Sequence, residues 1–365
     1  MTDVDRAGVT VGEVMQSANI LLVCGGGRGL GWSSILRTAA FEAHLQSVWP
    51  TARVTVFAAG DHEVHDWLWH RVRDLVALRP GPSVHDQMCA RQLRGDADLV
   101  LLDHPAPTHD DAAEAWLQGS RHVVVRTAPD RCASDGSVQC GWHWTRVDGV
   151  PARKLPLVGA RYALVDPLAH AAAISRKPAA GPARRLLVDL GAAGPDLQVA
   201  EALAPAIGVF ESASLVCDGA VSRKRRNALE AACPGLSVHA APERVVPLLA
   251  AADLVVVADG SAAARAAACG TPAIFIDGQP VEEGMAETVE LDDLAAVVTA
   301  LAGDPDRRRR LQDAGRSHVD GLGVLRLCAD TLPGFPVEML QIAELPSISQ
   351  SSKSTSAVVP VAPSA

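Results

Sequence analysis

The sequence predicts an α/β protein with two domains, each built on a parallel sheet that helices cover on both faces. Three observations support this prediction. A glycine-rich strand-to-helix loop occurs in each half, short apolar runs alternate with helix-like segments, and a Pro/Gly/Ala-rich stretch separates the halves. Such alternation is typical of parallel strands joined by crossover helices. We therefore expect two Rossmann-like domains that face a cleft.

The two loops have the same layout. In the first half, the apolar run 20–24 leads into Gly25–Gly31, and a helix-like segment follows. In the second half, the apolar run 253–258 leads into Asp259–Ser261 and an Ala-rich helix-like segment. Glycine lets the backbone approach a ligand closely, and free amides at a helix start favour an anion. Each loop is therefore a candidate phosphate site.

The remaining elements follow from the spacing of apolar runs. Strands are expected at 19–25, 53–58, 98–103, 121–126, 185–190, 213–218, 236–239, 253–258 and 273–276. Helices are expected at 33–47, 63–78, 85–95, 111–118, 196–206, 222–232, 243–251, 261–269, 291–302 and 305–317, with a final helix from about 320. The predicted units are an extension (1–17), a first domain (18–172), a linker (173–183), a second domain (184–335) and a disordered Ser/Pro/Ala-rich tail (336–365).

Composition excludes several classes of protein. The net charge of −9 argues against a protein that binds nucleic acid by neutralising phosphates. The eight cysteines form no Cys-x-x-Cys pair, which favours reduced thiols in the cytoplasm. No apolar run reaches the roughly 20 residues of a membrane span. We expect a cytoplasmic protein that partners neither nucleic acid nor membrane.

Five segments, in this order along the chain, resemble one family. They are Asp98–His104, Gly159–Leu164, Asp189–Asp196, Asp259–Pro272 and Asp320–Arg326. Together they resemble the two-domain GT-B glycosyltransferase-like proteins of the pseudaminic-acid nucleotide-sugar hydrolase and spore-coat polysaccharide type. These are relatives of the undecaprenyl N-acetylglucosamine transferases. The resemblance implies a GT-B fold whose second domain binds a nucleotide-diphosphate sugar, with UDP as the expected nucleotide.

The same resemblance implies the donor-binding residues. They are Gly191, Asp196, Gly260, Ser261, Arg265 and Gln279. Three alternatives stay open: Gly260 and Ser261 form a bare strand-to-helix turn, Asp196 only caps a helix, or Arg265 pairs with a surface acid. Arg265 stands where the transferases carry a glutamate for the ribose. An arginine cannot accept from hydroxyls, but it can hold a carboxylate or a phosphate.

The first loop departs from the family. Family members carry Gly-x-Gly-His there and use the histidine as a base, whereas Gly31 here precedes Trp32. An indole cannot take up a proton at neutral pH. We therefore look for the base at the end of a predicted parallel strand, with Asp103 as the first candidate and His104 as the second.

The acceptor is expected to bind the first domain near Gly31, Trp32 and His62. All seven tryptophans lie between Trp32 and Trp144. They form either core packing or an aromatic wall for a flat or sugar-like ligand.

The predicted activity is glycosyl transfer to a small molecule, without a metal or another cofactor. A uronic acid donor and a heterocyclic nitrogen acceptor, as in the cytosylglucuronate synthases of nucleoside antibiotics, form a further hypothesis by analogy. Two alternatives remain: a nucleotide-sugar hydrolase, and a catalytically degenerate protein that only binds a sugar nucleotide.

Overall fold

The computed structural model describes most of the chain. The described residues are 18–27, 31–79, 87, 97–103, 121–124, 141–146, 157–191, 196–217, 221–240, 245–276, 284–332 and 334–338. They form two sheets, one in each half, with helices packed against them. The α/β class with two Rossmann-like sheets is therefore confirmed.

The first sheet has the strand order β3-β2-β1-β4-β5-β6-β7. Its strands are β1 (Asn19–Gly25), β2 (Arg53–Ala59), β3 (Leu75–Leu78), β4 (Leu99–Asp103), β5 (Arg121–Val124), β6 (Gly141–Arg146) and β7 (Leu157–Val158). The neighbouring strands β3, β2, β1, β4 and β5 are all parallel to one another. β6 runs antiparallel to both β5 and β7. The antiparallel edge was not predicted.

The helices of the first half lie between these strands and after them. They are α1 (Ser33–Val48), α2 (His62–Trp69), a 3₁₀ turn (Ala160–Tyr162) and α3 (Pro167–Ser175). The prediction of one helix over 63–78 was wrong, because α2 ends at Trp69 and β3 follows. Pairing of Leu75 with Val56 of β2 places β3 at the sheet edge. The predicted helices 85–95 and 111–118 lie, except for Gln87, outside the described residues.

The second sheet is parallel throughout its described pairs and has the order β10-β9-β8-β11-β12-β13. Its strands are β8 (Arg185–Asp189), β9 (Ser212–Cys217), β10 (Leu236–Ala240), β11 (Leu254–Val257), β12 (Ala273–Ile276) and β13 (Glu287–Val289). Its helices are α4 (Leu197–Leu203), α5 (Arg223–Ala232), α6 (Val245–Ala251), α7 (Gly260–Ala268), α8 (Leu294–Gly303) and α9 (Pro305–His318), with 3₁₀ turns at Ala204–Val209 and Leu291–Asp293.

Apolar burial on both sheet faces explains the layered fold. Along β1, Ile20 and Leu22 pack into one cluster, whereas Leu21 and Val23 pack into another on the opposite face. Successive strand residues point to opposite faces, so a continuous apolar run needs cover on both sides.

The last described helix, α10 (Gly323–Thr331), returns to the first half of the chain. Its residues Val324, Leu325 and Leu327 belong to the core cluster around β1 and α1. A Cβ on Gly323 would stand 2.3 Å from the carbonyl oxygen of Ala163, so the close approach requires glycine. The expectation of a closing helix from about 320 agrees with this placement. Residues 339–365 of the predicted tail lie outside the described residues.

Among the residues that the structure describes, no helix is long and apolar enough to span a membrane. Five cysteines lie in the described part, and all five are buried free thiols. Burial raises the pKa of Cys24 and of Cys269 to about 12 each. These thiols therefore stay protonated at neutral pH.

Candidate functional site

Two loops of the second half meet at the carboxyl edge of its sheet. β8 and β11 are neighbours, and the loops after them carry Gly191 and Asp259. Gly191 adopts φ +56°, and a Cβ there would stand 1.9 Å from Oδ2 of Asp259. Only glycine fits this contact. Asp259 in turn caps α7, because its Oδ1 accepts from the amide of Ala262 at 2.6 Å. Gly191, Gly260 and Ser261 therefore lie in one region, and their role in binding a donor stays a prediction.

An arginine from the first half reaches the start of α7. Nη1 of Arg37 on α1 donates to Oγ of Ser261 at 3.0 Å. Its other two nitrogens, Nε and Nη2, donate to the two carboxylate oxygens of Asp103, each at 2.7 Å. Arg37 is 5% exposed and Asp103 is 3% exposed, so the pair is buried. The arrangement fixes the guanidinium at the seam between the two halves.

Asp103 has both of its oxygens engaged in this pair. The sequence analysis proposed Asp103 as the base. Its carboxylate would have to separate from Arg37 before it could accept a proton. The structure therefore adds a second role, in which Asp103 holds Arg37 in place. His104, the other candidate base, lies outside the described residues.

A second buried ion pair lies under α7. Nη2 of Arg265 donates to Oδ2 of Asp189 at 2.9 Å and to Oδ1 at 3.1 Å. Asp189, at the end of β8, is fully buried, and Arg265 is 6% exposed. The sequence analysis left open that Arg265 pairs with a surface acid. The acid that pairs with it, Asp189, is instead a core residue. Separating the two would leave a buried charge without compensation, which costs several kcal/mol.

The described ends of the first loop contact each other within the protein. The backbone amides and carbonyls of Gly27 and Gly31 bond each other at 3.0 and 3.1 Å, and Gly31 has φ +73°. Oγ of Ser34 accepts from the amide of Gly25 and donates to the carbonyl of Asp103. The backbone groups at the two ends of the loop therefore hydrogen-bond each other, and Ser34 links α1 to β1 and β4.

Two of the predicted acceptor residues, Trp32 and His62, differ in how far they are exposed. Trp32 is 6% exposed and stacks edge-to-face on Trp67, with ring centroids 5.8 Å apart. The packing alternative therefore describes its ring. His62 is exposed in the first turn of α2, directly after the capping residue Asp61.

Two predicted donor residues remain. Asp196 caps α4, since its Oδ1 accepts from the amide of Gln198 at 2.9 Å, as the cap alternative expected. Gln279 lies outside the described residues.

A pocket of about 290 Å³ lies along the seam between the halves. Residues of α1 and of the start of α6 both line it. The described lining residues are Leu36, Arg37, Ala39, Ala43, Trp67, Arg71, Leu164, Val165, Asp166, Leu168, Val245, Val246, Pro247 and Arg265. Its volume is near the lower end of the range for small-molecule sites.

Sequence reasoning missed Arg37, Asp189, Arg71 and Asp166. The polar composition of α1 is a signal that could have found Arg37, because Thr38, Glu42 and His44 are buried on the same helix. A polar helix buried on several sides lies at a seam rather than on a surface. Among the described residues, no cluster of three or more His, Cys, Asp and Glu could hold a metal ion.

Comparison with known proteins supports the fold and no single family. No family model matches the chain, and none of the curated proteins matches it. Solved structures do match. A putative UDP-N-acetylglucosamine 2-epimerase from Listeria monocytogenes is 14% identical, with a TM-score of 0.60 over 86% of this chain and 96% of that one.

Two further structures illustrate the range of activities. The UDP-GlcNAc 2-epimerase from Neisseria meningitidis, solved with UDP-GlcNAc, is 13% identical, with a TM-score of 0.53 over 86% of this chain and 99% of that one. The calicheamicin glycosyltransferase CalG4 is 14% identical, with a TM-score of 0.50 over 87% of this chain and 97% of that one. At such identities the likeness shows the fold alone, so the chain has a GT-B-like fold.

Proposed function

We propose that this protein is a glycosyltransferase that takes a sugar from a UDP-sugar and passes it to a small-molecule acceptor. The observation that supports this most is the contact of Arg37 with Ser261 at the first turn of α7. It brings a fixed guanidinium from one half to a helix N-terminus of the other. Both groups favour an anion, and a diphosphate is the anion that a sugar donor presents.

The charge of the leaving group explains why these groups would matter. When the bond between the anomeric carbon and the diphosphate breaks, its electron pair moves to a phosphate oxygen and adds negative charge there. A buried guanidinium and the amides of α7 would stabilise that charge without reorganising, which is the usual source of large rate effects. The proposal therefore needs no metal or other cofactor.

The base remains a proposal carried over from the sequence. Asp103 is the first candidate and His104 the second. Because Arg37 holds both oxygens of Asp103, Asp103 would serve as a base only after Arg37 turns from it toward a bound diphosphate. If Arg37 stays, Asp103 is a positioning residue.

The uronic acid version of the donor is less favoured than a neutral hexose. It assigned Arg265 to the donor carboxylate, and Arg265 is neutralised by Asp189 in the core. A donor carboxylate would have to compete with that buried partner.

A second candidate function is UDP-GlcNAc 2-epimerisation. The structure from Listeria monocytogenes, with the TM-score of 0.60, favours it. Two further alternatives are hydrolysis of a nucleotide sugar and binding without catalysis.

One experiment separates these functions. The purified full chain is incubated with a panel of UDP-sugars, with and without small acceptors, and the products are resolved by mass spectrometry and NMR. A transferase releases UDP only when an acceptor is present. A hydrolase releases UDP and free sugar without one, an epimerase returns an isomeric UDP-sugar, and a binding protein returns the donor unchanged. Acceptor-independent turnover of any kind would contradict the transferase proposal.

A further inference from the structure

The helix α3, which follows the last strand of the first sheet, presents an apolar stripe to solvent. Among the described residues, five large apolar side chains are exposed, and only Leu168 and Ile174 share a helix, with 60% and 50% of their surface exposed. Ala171, midway between them, is exposed as well. These positions are spaced i, i+3 and i+6 and therefore line one side of the helix. Single exposed apolar residues are normal, whereas a contiguous set indicates an interaction surface.

The neighbouring helix α6 extends this apolar surface. α6 packs against α3, and Arg176 joins their ends, because its Nη1 donates to the carbonyl oxygens of Leu249 and Ala250 at 3.3 and 3.1 Å. Pro247 and Ala250 are exposed on α6. Neither helix contains a Lys, Arg, Asp or Glu, whereas 21% of the chain is charged. The two helices therefore form one uncharged surface, the α3/α6 face.

Opposite charges stand at the two ends of α3. Asp166 precedes the helix and caps it, since its Oδ1 accepts from the amide of Leu168 at 2.8 Å. Lys177 follows the helix and is exposed. Among the described residues, neither Asp166 nor Lys177 forms an ion pair. Partial burial raises the pKa of Asp166, so a cation brought close to it would stabilise its charged form.

The pattern around Ala171 suits a two-fold axis. Leu168 and Ile174 each lie three residues from Ala171. Asp166 lies five residues before it, and Lys177 lies six after it. If two copies of α3 pack antiparallel with Ala171 at the centre, each Leu168 meets Ile174 of the other copy, and each acidic end meets a basic end. Such an interface is isologous, because the same patch serves both copies.

The charge of the chain favours a second copy at this face over a strongly charged partner. With a net charge of −9, two copies repel each other across most pairs of faces. The α3/α6 face avoids this repulsion, because its helices carry no charge and the antiparallel arrangement sets Asp166 against Lys177. An acidic or basic partner would find no complementary charge on the two helices.

We propose that two copies of this chain form a dimer through the α3/α6 face, with the two α3 helices antiparallel about a two-fold axis at Ala171. Leu168 and Ile174 become buried on both sides of the axis, and the short side chain of Ala171 lets the helices approach closely. The inference goes beyond the proposed function and does not depend on it.

The test is sedimentation velocity of the full chain over a range of concentrations. We expect a shift from the mass of one chain to that of two, with a midpoint of about 1–10 µM, because the face is small for a permanent interface. Ala171→Glu places two like charges at the axis, so the dissociation constant should rise at least about tenfold. Ala171→Lys should do the same. The matched control is Ala228→Glu, at an exposed position of α5, which should dimerise as the wild type does.

A mixture of the two axis variants tests the symmetry. When Ala171→Glu and Ala171→Lys chains are combined in equal amounts, opposite charges meet at the axis, so the dimer should return. Lys177→Glu tests the helix ends even if an axis variant does not fold. It should weaken the dimer about threefold to tenfold, because two symmetry-related pairs are lost. Lys224→Glu makes the same charge change at an exposed position of α5 and should have no effect.

Three results would overturn the inference. They are a wild-type chain that stays monomeric at about 100 µM, well above the expected midpoint, a dimer that neither Ala171→Glu nor Lys177→Glu weakens, and a mixture of the axis variants that stays monomeric after each has dissociated alone. The first result would leave the face to a different partner. The proposed function fails on a separate readout, the turnover of UDP-sugars.

Discussion

The two glycine-rich loops begin from the same sequence pattern and end in different surroundings. The described ends of the first loop bond each other through Gly27 and Gly31, and α1 closes on them through Ser34. The second loop presents the start of α7, which Asp259 caps and Arg37 approaches from the other half. A strand, glycines and a helix start thus predict a turn, whereas groups distant in sequence decide whether the turn can hold a ligand.

The largest expected effect concerns the ion pair that distinguishes the second loop. Arg37→Ala leaves Asp103 buried without its partner, so it should cost about 3–5 kcal/mol of unfolding free energy. Arg309→Ala removes an exposed pair with Asp306 and should change stability by less than about 1 kcal/mol. Urea unfolding measures both. Equal effects of the two changes would mean that Arg37 and Asp103 are not a buried pair in solution.

The next effect tests whether α1 is buried at the seam. Burial lowers the pKa of His44 to about 4, and its Nε2 lies 3.1 Å from the carbonyl of Val165. Because the folded state disfavours the protonated ring, stability is complete above the unfolded pKa near 6.5. It falls by up to about 3 kcal/mol as the pH drops from 6.5 to 4. His44→Gln should make the urea midpoint of unfolding nearly independent of pH across this range. His70→Gln, at an exposed position, should leave the pH dependence unchanged.

A smaller effect tests the closed first loop. Gly31 has φ +73°, so Gly31→Ala should cost about 1–2 kcal/mol in backbone strain. Gly208→Ala has open space around the new Cβ and serves as the control. Thermal unfolding compares the two variants. A Gly31→Ala variant as stable as Gly208→Ala would contradict the loop geometry.

The smallest effect separates a cap from a ligand contact in the second half. Asp196→Ala should cost about 1 kcal/mol, because the first turn of α4 loses its acceptor, while Asp196→Asn should cost little. UDP affinity, measured by calorimetry, should be unchanged in both. A loss of affinity in Asp196→Asn would restore the predicted donor contact.

Local pattern was enough for most of the fold. The strand β1 and the helices α1 and α9 are predicted within about one residue, because apolar runs, caps and helix starts are local signals. The edge strand β3 was missed. Its backbone pairs with β2, about twenty residues away, and the segment alone reads equally well as the end of a helix.

The candidate site was only partly predictable. Gly191, Gly260 and Ser261 follow strand ends, and the structure brings their loops together. Arg37 and Asp103 are 66 residues apart, and Arg265 and Asp189 are 76 apart. Neither pair has a local pattern, so a single sequence cannot reveal that these charges neutralise each other. The pairing changes the expected role of two of the predicted residues, Asp103 and Arg265.

The central claim is that the second loop, and not the first, takes the diphosphate. Calorimetry of UDP against Gly260→Val and Gly31→Ala, side by side, tests it directly. Gly260→Val places a branched side chain at the start of α7, so the account predicts loss of UDP binding in a folded protein, while Gly31→Ala keeps wild-type affinity. Unchanged UDP affinity in folded Gly260→Val, or loss of affinity in folded Gly31→Ala, would contradict it.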